Sequence, residues 1–304
     1  MEKNSYKSGF VALVGAPNVG KSTLMNQILK EKISITCSKP QTTRNRILGI
    51  YTTPRSQMVF VDTPGIHRAR DTFNKILVET ALGVLSDVDA VAFIVDVTAK
   101  GMDLDRFVLQ CMEKLATPVI LVLNKVDLVK DKAMLLPLMQ RYTEMRSFEA
   151  VVPLSALTGD GVSELLDELE KLLPEGPRYY PEDMVTDQPE RFLVAEIIRE
   201  KVFHLTEEEI PYATAVTVDV FKEEPEKPLI RIEATIHVER DSQKGIIIGK
   251  GGARLKEIGR QAREDVERLL GCKVYLGLYV RVQKNWRRDR RVLGEFGYRL
   301  PRGG

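Results

Sequence analysis

The sequence predicts an α/β domain with a mostly parallel sheet and helices on both faces, followed by a smaller α+β domain. The chain has 304 residues, which is enough for two domains of ordinary size. Its first half alternates short runs rich in Val, Ile and Leu with stretches of helical period, a pattern typical of a covered parallel sheet. The second half contains alternating strands between helices. Residues 174–190 are proline-containing and aperiodic, so we predict domains at 1–173 and 191–304 joined by this linker.

Six apolar runs of the first half are predicted strands, and five intervening stretches are predicted helices. The strands are residues 10–15, 47–53, 57–63, 89–97, 118–127 and 150–157. The helices are Lys21–Lys30, Thr72–Leu85, Asp103–Leu115, Lys132–Met145 and Val162–Leu173. Right-handed crossovers place the carboxyl ends of parallel strands, and the loops after them, on one edge of the sheet.

The second half follows the order α-β-β-α-α-β, provided that residues 241–248 form a short helix. A helix is predicted at Arg191–Lys201, strands at 213–224, 229–240 and 273–283, and a long helix at Ala253–Leu270. A basic helix is predicted to close the chain.

Composition excludes several classes of protein. A hydrophobic content of 43% and a charged content of 29% are ordinary for a soluble globular protein. The three cysteines and three histidines are scattered, which indicates no metal cluster and no disulfide framework, and we expect a reducing cytoplasm. The amino terminus lacks the apolar stretch of a secretory signal, and no apolar run reaches the roughly 18 residues of a membrane span. Peripheral membrane contact stays open.

The net charge of +2 conceals a basic end of the chain. Residues 281–304 carry eight Arg and Lys against two acidic residues. A run of this kind is either a solvated helix face or a nucleic-acid footprint, and charge patterning alone leaves both open.

Residues 15–22, "GAPNVGKS", match the phosphate-binding pattern G-x-x-x-x-G-K-S between a strand and a helix. Glycines let the backbone N–H groups converge on phosphate oxygens, and the helix amino terminus adds partial positive charge. Lys21 would reach the β- and γ-phosphates, and Ser22 would bind Mg²⁺. The predicted phosphate-binding residues are Gly15, Ala16, Pro17, Asn18, Val19, Gly20, Lys21, Ser22 and Thr23.

A second strand ends in "VFVDTPG", which places Asp62 to hold Mg²⁺ and the Gly65 N–H to meet the γ-phosphate. Thr63 lies in the same motif. The polar loop before this strand offers Thr42 and Thr43 as a hydroxyl ligand that the γ-phosphate would order, and we prefer Thr43. The predicted magnesium ligands are Ser22, Thr43 and Asp62.

"LVLNKVD" ends a further strand on the same edge. The Asp127 carboxylate can accept both N1–H and the N2 amino group of guanine, and adenine offers neither donor. Asn124 and Lys125 would brace this loop and flank the base. The short stretch Ser155, Ala156 and Leu157 could direct a backbone N–H at guanine O6.

These four motifs, in this order, resemble a GTP-binding protein of the translation-factor-related class. One departure concerns catalysis: Ile66 follows "DTPG", where Ras-like enzymes have a glutamine that orients the attacking water. In related GTPases with "PNVGKS", the asparagine that matches Asn18 helps to hold K⁺, so K⁺ is a candidate cofactor beside Mg²⁺. A slow switch that needs a partner is the alternative. The predicted catalytic residues are Lys21, Thr43, Gly65 and Asn18. His67 is expected to be an ordinary loop residue.

The second glycine loop, "GKGG" at residues 249–252, lacks the Ser/Thr ending of a nucleotide loop. It matches the G-x-x-G pattern, which in KH domains holds about four nucleotides of single-stranded RNA. An ordinary helix–helix turn is the alternative. The predicted RNA-binding residues are Gly249, Lys250, Gly251, Gly252, Arg254, Lys256, Lys284, Arg287, Arg288, Arg290 and Arg291. Trp286, Phe296 and Tyr298 could stack on bases, but packing of the tail is favoured.

A GTP-binding domain followed by a type II KH domain resembles the Era family over the whole chain. "KISIT", "KPQTTR", "DTPGIH", "NKVD" and "GIIIGKGG" carry the resemblance. The resemblance implies a cytoplasmic GTPase, slow without an activator, that acts in assembly of the small ribosomal subunit and binds the 3′ region of its ribosomal RNA. It also implies some association with the inner face of the membrane, and no DNA partner is expected. The alternative is a signalling GTPase whose second half docks a protein.

Overall fold

The computed structural model describes residues 6–37, 39, 41–69, 72–225 and 228–298. The chain divides after Asp187 into two compact units, which are described separately.

The first unit is a six-stranded sheet with helices between its strands. Its strands are β1 (Lys7–Val14), β2 (Ile47–Thr52), β3 (Ser56–Asp62), β4 (Ala90–Asp96), β5 (Val119–Asn124) and β6 (Ala150–Leu154). Its helices are α1 (Lys21–Leu29), α2 (Thr72–Leu82), α3 (Asp103–Cys111), α4 (Leu135–Met145) and α5 (Val162–Leu172). The strand order is β2-β3-β1-β4-β5-β6, and every neighbouring pair is parallel except the β2–β3 hairpin. The predicted mostly parallel α/β sheet is confirmed.

Three helices are shorter than the apolar periodicity indicated. The helix α2 ends at Leu82 rather than at Leu85. The α-helix α3 ends at Cys111, and the turns after it continue to Leu115. The predicted helix from Lys132 begins as a 3₁₀ turn, and α4 itself starts at Leu135. Pro137 explains that start, because a proline lacks the N–H needed inside a helix and is tolerated in its first turn.

Most of the predicted linker lies against the first unit. The Ile50 N–H in the edge strand β2 donates to Val185 O at 2.8 Å, and the buried Gln57 Oε1 accepts from the N–H groups of Tyr179 and Tyr180. An edge strand exposes unpaired backbone groups, so a chain segment that covers it satisfies them. Residues 174–187 of the predicted linker therefore belong to the first compact unit.

The second unit has the order α6 (Glu190–Leu205), β7 (Ala215–Glu223), β8 (Leu229–Val238), α7 (Asp241–Ile248), α8 (Ala253–Leu270), β9 (Lys273–Val282) and α9 (Arg290–Glu295). The β7–β8 pair is antiparallel and the β8–β9 pair is parallel. Its core packs Ile232 and Ile236 of β8 with Ile258 and Val266 of α8. The α-β-β-α-α-β order is confirmed, including the short helix α7.

The aromatic residues near the end of the chain pack inside the second unit. Trp286 is fully buried, its Nε1–H donates to Ala213 O at 3.0 Å, and Tyr298 stacks on it with ring centroids 5.9 Å apart. Phe296 lies edge-on to the same indole ring. Packing, the favoured alternative, is thus confirmed for these rings. Arg299 and Arg302 of the basic end lie outside the described residues.

No helix in the described ranges is both long and apolar enough to cross a bilayer.

The buried end of the second unit yields a stability prediction. Leu293→Ala, at a fully buried position in α9, should cost about 2–5 kcal/mol of unfolding free energy because it leaves a cavity. Urea unfolding followed by the emission of Trp286, the chain's single tryptophan, measures this loss. Leu136→Ala, at a position 66% exposed, is the matched control and should leave the midpoint unchanged. Equal midpoints for all three proteins would contradict the packing described here.

Candidate nucleotide site and glycine loop of the second unit

The residues predicted to bind the nucleotide meet at one edge of the first sheet. The loop of residues 15–20 follows β1 and leads into α1, Asp62 ends β3, Asn124 ends β5, and Ser155 follows β6. These strands are parallel, so their carboxyl ends lie side by side, where ligands bind in open α/β sheets.

Three glycines of this edge have no room for a side chain. A Cβ at Gly15 would lie 2.3 Å from Ile94 O, and one at Gly20 would lie 2.2 Å from Asn124 Nδ2. A Cβ at Gly65 would lie 2.7 Å from the Pro17 Cα. The glycines therefore allow three loops to approach closely, and Gly20 also has a φ of 102° that disfavours other residues.

Lys21 is buried over the loop that precedes it. Its ammonium donates to Ala16 O at 2.9 Å and to Gly15 O at 3.2 Å. Burial lowers the pKa of Lys21 to about 8, and the nearby Asp62 carboxylate opposes that effect. A buried ammonium at the start of a helix is placed to meet anionic oxygens.

Ser22, Thr43 and Asp62 form one buried cluster of oxygen atoms. The Ser22 hydroxyl donates to Asp62 Oδ2 at 2.7 Å and lies 2.8 Å from Thr43 Oγ1, which is 3.3 Å from Asp62 Oδ2. Burial raises the pKa of Asp62, while Lys21 and the hydroxyls around the carboxylate lower it. Asp62 Oδ1 is buried without a hydrogen-bond partner among the described residues. Two hydroxyls and a carboxylate with a free oxygen fit the all-oxygen ligand set of Mg²⁺.

Asn124 joins three loops on the guanine side of the site. Its Nδ2 donates to Val19 O at 2.7 Å, and its Oδ1 accepts from the N–H groups of Lys125 and Ala156 at 2.7 and 2.9 Å. The expected hydrogen bond from this segment to guanine O6 stays a prediction, and in this structure the Ala156 N–H donates to Asn124. The next N–H belongs to Leu157, whose side chain is 74% exposed.

Asp127 is exposed in a short 3₁₀ turn, and its carboxylate has no hydrogen-bond or ion-pair partner among the residues that the structure describes. The neighbouring Lys125 has a left-handed φ of 70°, and its ammonium lies 2.5 Å from Asp96 Oδ2. One side chain of the motif is thus free for a base, and the other is fixed beside it.

Three residues in or directly after "VFVDTPG", and Asn18 of the phosphate loop, have less direct places in the site. Thr63 is fully buried, and its hydroxyl donates to Leu13 O at 2.9 Å, so it acts as a brace between strands. Ile66 is fully buried in the core, which leaves no side chain there to orient water. His67 Nδ1 lies 2.9 Å from Gly65 O. Asn18 is exposed with a left-handed φ of 65°.

Two further residues position the site and were not among the predicted ones. Asp96 ends β4 and forms an ion pair with Lys125. The sequence contained a signal for it, because "FIVDV" is an apolar strand that ends in an aspartate, as "VFVDT" is. Asn26 in the middle of α1 carries no local signal. Its side chain makes three hydrogen bonds to the backbone of Ile33 and Ser34.

The glycine loop of the second unit depends on glycine mainly for its backbone conformation, although a Cβ at Gly249 would also lie 2.9 Å from the Arg254 Cβ. Gly249, Gly251 and Gly252 have φ values of 72°, 61° and 81°. A Cβ at Gly251 or Gly252 would meet nothing within 4 Å, so conformation and not crowding selects glycine there. Lys250 is exposed in the loop.

An open groove runs from this loop along α8 and β9. Leu276 and Leu278 contribute its apolar part, and Lys256, Arg260 and Arg263 contribute its cationic side chains. Arg260 is held by Glu257 and Glu264 through hydrogen bonds of 2.6 Å. A groove with an apolar floor and a basic rim can accept bases and a phosphate backbone together.

The predicted RNA-binding cations fall into two groups, those that have a hydrogen-bond or ion-pair partner in the protein and those that do not. Arg254 donates to Ile246 O, Arg287 pairs with Glu239 and Arg291 pairs with Glu295, so these three have structural partners. The others are exposed and have no ion-pair partner in the described part of the chain: Lys250, Lys256, Lys284, Arg288 and Arg290.

The fold and the two sites define a P-loop GTP-binding protein that carries a KH domain. Two family models match the chain, "50S ribosome-binding GTPase" over residues 10–125 and "KH domain" over residues 209–287. GTPase Era of Geobacter metallireducens is 54% identical over 298 residues, which cover 98% of this chain and 100% of the relative. GTPase Era of Staphylococcus haemolyticus is 50% identical over 96% of this chain and 97% of the relative. The chain belongs to the Era family of GTPases, as the sequence motifs indicated.

Solved Era structures share the fold over nearly the whole chain. Era in complex with MgGDPNP and nucleotides 1506–1542 of 16S ribosomal RNA is 42% identical, with a TM-score of 0.94 over 97% of this chain and 100% of that one. A variant of Aquifex aeolicus Era bound to GDP and AlF₄⁻ is 41% identical, with a TM-score of 0.92 and the same coverage.

The lowered pKa of Lys21 predicts that GDP binding without metal takes up protons. Phosphate oxygens favour the charged form of Lys21, so Lys21 keeps its proton in the GDP-bound protein, whereas in the free protein it loses that proton as the pH rises through about 8. The number of protons taken up per GDP bound should be near zero at about pH 6.5 and should grow toward about pH 8.5. Calorimetry in buffers of different ionisation enthalpy measures this number. Lys21→Arg, which stays protonated, is the control. Uptake that does not change with pH would refute the assignment.

Asp127→Asn should move base selectivity from guanine to xanthine. The NH₂ group of the Asn amide can donate to the C2 carbonyl of xanthine. Guanine has an amino group at C2, so two donors would face each other there. We expect GDP affinity to fall by about 100-fold or more and XDP affinity to exceed it. Competition with a fluorescent nucleotide measures both affinities. Asp167→Asn on the exposed side of α5 should bind GDP as the wild type does, and unchanged GDP affinity in Asp127→Asn would exclude Asp127 from base recognition.

Proposed function

We propose that this GTPase hydrolyses GTP with Mg²⁺ and binds the single-stranded 3′ region of 16S ribosomal RNA during assembly of the small ribosomal subunit. The observation that carries the proposal is the buried cluster of Ser22, Thr43 and Asp62 beside the Lys21 ammonium. The Era complex with MgGDPNP and 16S ribosomal RNA supports both ligands by relationship.

The nucleotide would lie along the edge of the first sheet. Backbone N–H groups of the glycine loop and the Lys21 ammonium hold its phosphates, and the free carboxylate of Asp127 pairs with the base. Ser22, Thr43 and Asp62 would hold Mg²⁺, which compensates charge on the β- and γ-phosphate oxygens when it is bound. The Gly65 N–H faces the terminal phosphate.

Hydrolysis joins a water oxygen to the γ-phosphorus while the bond from that phosphorus to the bridging oxygen breaks, which leaves GDP and phosphate. This chain has Ile66 where Ras-like enzymes have a glutamine, and because Ile66 is apolar and buried it cannot orient the water. A faster reaction would come either from K⁺ beside Asn18 or from a partner that completes the site.

RNA would enter the groove beside Gly249–Gly252. The positive-φ glycines allow close approach of the RNA backbone, and the exposed Lys250 and Lys256 add charge without giving up an ion pair. The solved Era complex contains RNA, which favours an RNA groove over a protein-docking module. On the basis of the family resemblance, we also propose that the protein is cytoplasmic and associates peripherally with the inner membrane.

Nucleotide state would control RNA binding. GTP and Mg²⁺ fix the loop that carries Thr43 and the segment after Gly65, and that order would change the RNA affinity of the second unit. When the γ-phosphate is lost, these two segments lose the contacts that distinguish the GTP state from the GDP state, and the change in RNA affinity depends on those contacts.

Fluorescence anisotropy with a labelled single-stranded RNA of the 16S 3′ sequence tests the proposal. We expect tighter binding with a non-hydrolysable GTP analogue than with GDP, and a loss of about tenfold or more when Lys250→Asp and Gly251→Asp reverse the charge of the loop. Lys273→Asp with Gly271→Asp is the matched control, since Gly271 also has a positive φ and open space around its Cα. Equal loss in the control would refute the groove, and equal binding in both nucleotide states would refute the coupling.

A further inference from the structure

Asn26 lies on the helix that follows the phosphate loop, four residues after Ser22. Residues four apart share one face of a helix, so Asn26 and Ser22 face the same side of α1. Asn26 is partly buried and does not belong to the cluster of Ser22, Thr43 and Asp62.

The Asn26 side chain makes three hydrogen bonds to the backbone at the start of the loop that carries Thr43. Its Oδ1 accepts from the N–H groups of Ile33 and Ser34 at 3.1 and 3.0 Å, and its Nδ2 donates to Ser34 O at 2.8 Å. Both backbone polar groups of Ser34 are therefore satisfied by one amide. An amide can accept twice through its oxygen and donate through its nitrogen, which is what this arrangement requires.

The backbone that Asn26 holds is buried and leads to the predicted magnesium ligands. Ile33, Ser34 and Ile35 are each at most 5% exposed. The Asn26 amide thus fixes one buried end of the loop.

The other end of the loop is fixed by the sheet. Ile47, the first residue of β2, pairs with Asp62 in the antiparallel register of β2 and β3. Thr43 lies between these two anchors and reaches Ser22 and Asp62. A loop that is fixed at both ends loses part of its geometry when the side chain that fixes one end is removed.

We propose that Asn26 is a positioning residue for GTP hydrolysis, which fixes residues 33–34 and thereby holds Thr43 within reach of the Mg²⁺ site. This inference rests on the proposed function of that site. The phosphate loop, Lys21 and Asp127 do not depend on Asn26, so the affinity for GDP should be nearly independent of it.

Asn26→Ala, assayed on the full-length chain, tests the inference. GDP affinity should change by less than about threefold, whereas the single-turnover rate of GTP hydrolysis should fall by about tenfold or more and require more Mg²⁺ for its half-maximum. Gln27→Ala is the matched control, because Gln27 is the next residue of α1 and its amide lies toward Gly159. The control should hydrolyse GTP at the wild-type rate.

A double-mutant cycle with Thr43→Ala separates positioning from a general structural role. If Asn26 acts through Thr43, adding Asn26→Ala to Thr43→Ala should change the rate by less than about twofold. A full additional loss in the Thr43→Ala background would overturn the inference, as would a wild-type rate and Mg²⁺ requirement for Asn26→Ala alone.

Asn26→Asp keeps the inference testable if the alanine variant does not fold. The aspartate keeps the two acceptor bonds and loses the donor bond to Ser34 O, so its rate should lie between those of the alanine variant and the wild type. Thermal unfolding with GDP bound checks the folding of each variant. If the wild-type protein hydrolyses GTP without Mg²⁺, the proposed function itself is refuted. If hydrolysis by the wild type depends on Mg²⁺ and the Asn26→Asp variant hydrolyses GTP at the same rate as the wild type, only the inference about Asn26 is refuted.

Discussion

The parallel pairing of β1 with β3 is the constraint on which the nucleotide site depends. In this register Leu13 lies opposite Asp62, just before the glycine loop begins, and the Thr63 hydroxyl locks the same pair of strands by donating to Leu13 O. Asp62 is consequently buried beside Lys21 and Ser22, where an isolated carboxylate would be costly. The neighbouring ammonium and hydroxyls offset that cost, so the arrangement that stabilises the buried charge also provides oxygen ligands for a cation.

The two glycine loops of the chain use glycine for different physical reasons. In the first unit, Gly15, Gly20 and Gly65 lie where backbones and side chains of other loops approach too closely for a Cβ. In the second unit, Gly251 and Gly252 have open space around them and need only a left-handed backbone. Crowding suits a site that surrounds a small ligand, and an open left-handed turn suits a site that a long polymer passes.

Single polar side chains link the loops of the first unit. Asn124 holds the phosphate loop and the segment after β6, and Asn26 holds the start of the loop that carries Thr43. Amides serve well here because they donate and accept without the desolvation cost of a charge. The charged side chains are left for ligands: Lys21 over the phosphate loop and Asp127 at the surface.

The sequence by itself determined the family, the two-unit order of elements and the motif residues, because strand–loop–helix motifs are local and their chemistry follows from residue type and spacing. It could not determine that Arg254 and Arg287 have partners on other elements. The Arg291–Glu295 pair, by contrast, follows from their spacing of four residues on one helix. Tertiary structure also decided that residues up to Asp187 pack with the first unit and that Asn26 anchors a loop. These contacts join residues through space, and no local pattern of apolar or glycine residues records which backbone group a distant amide or guanidinium meets.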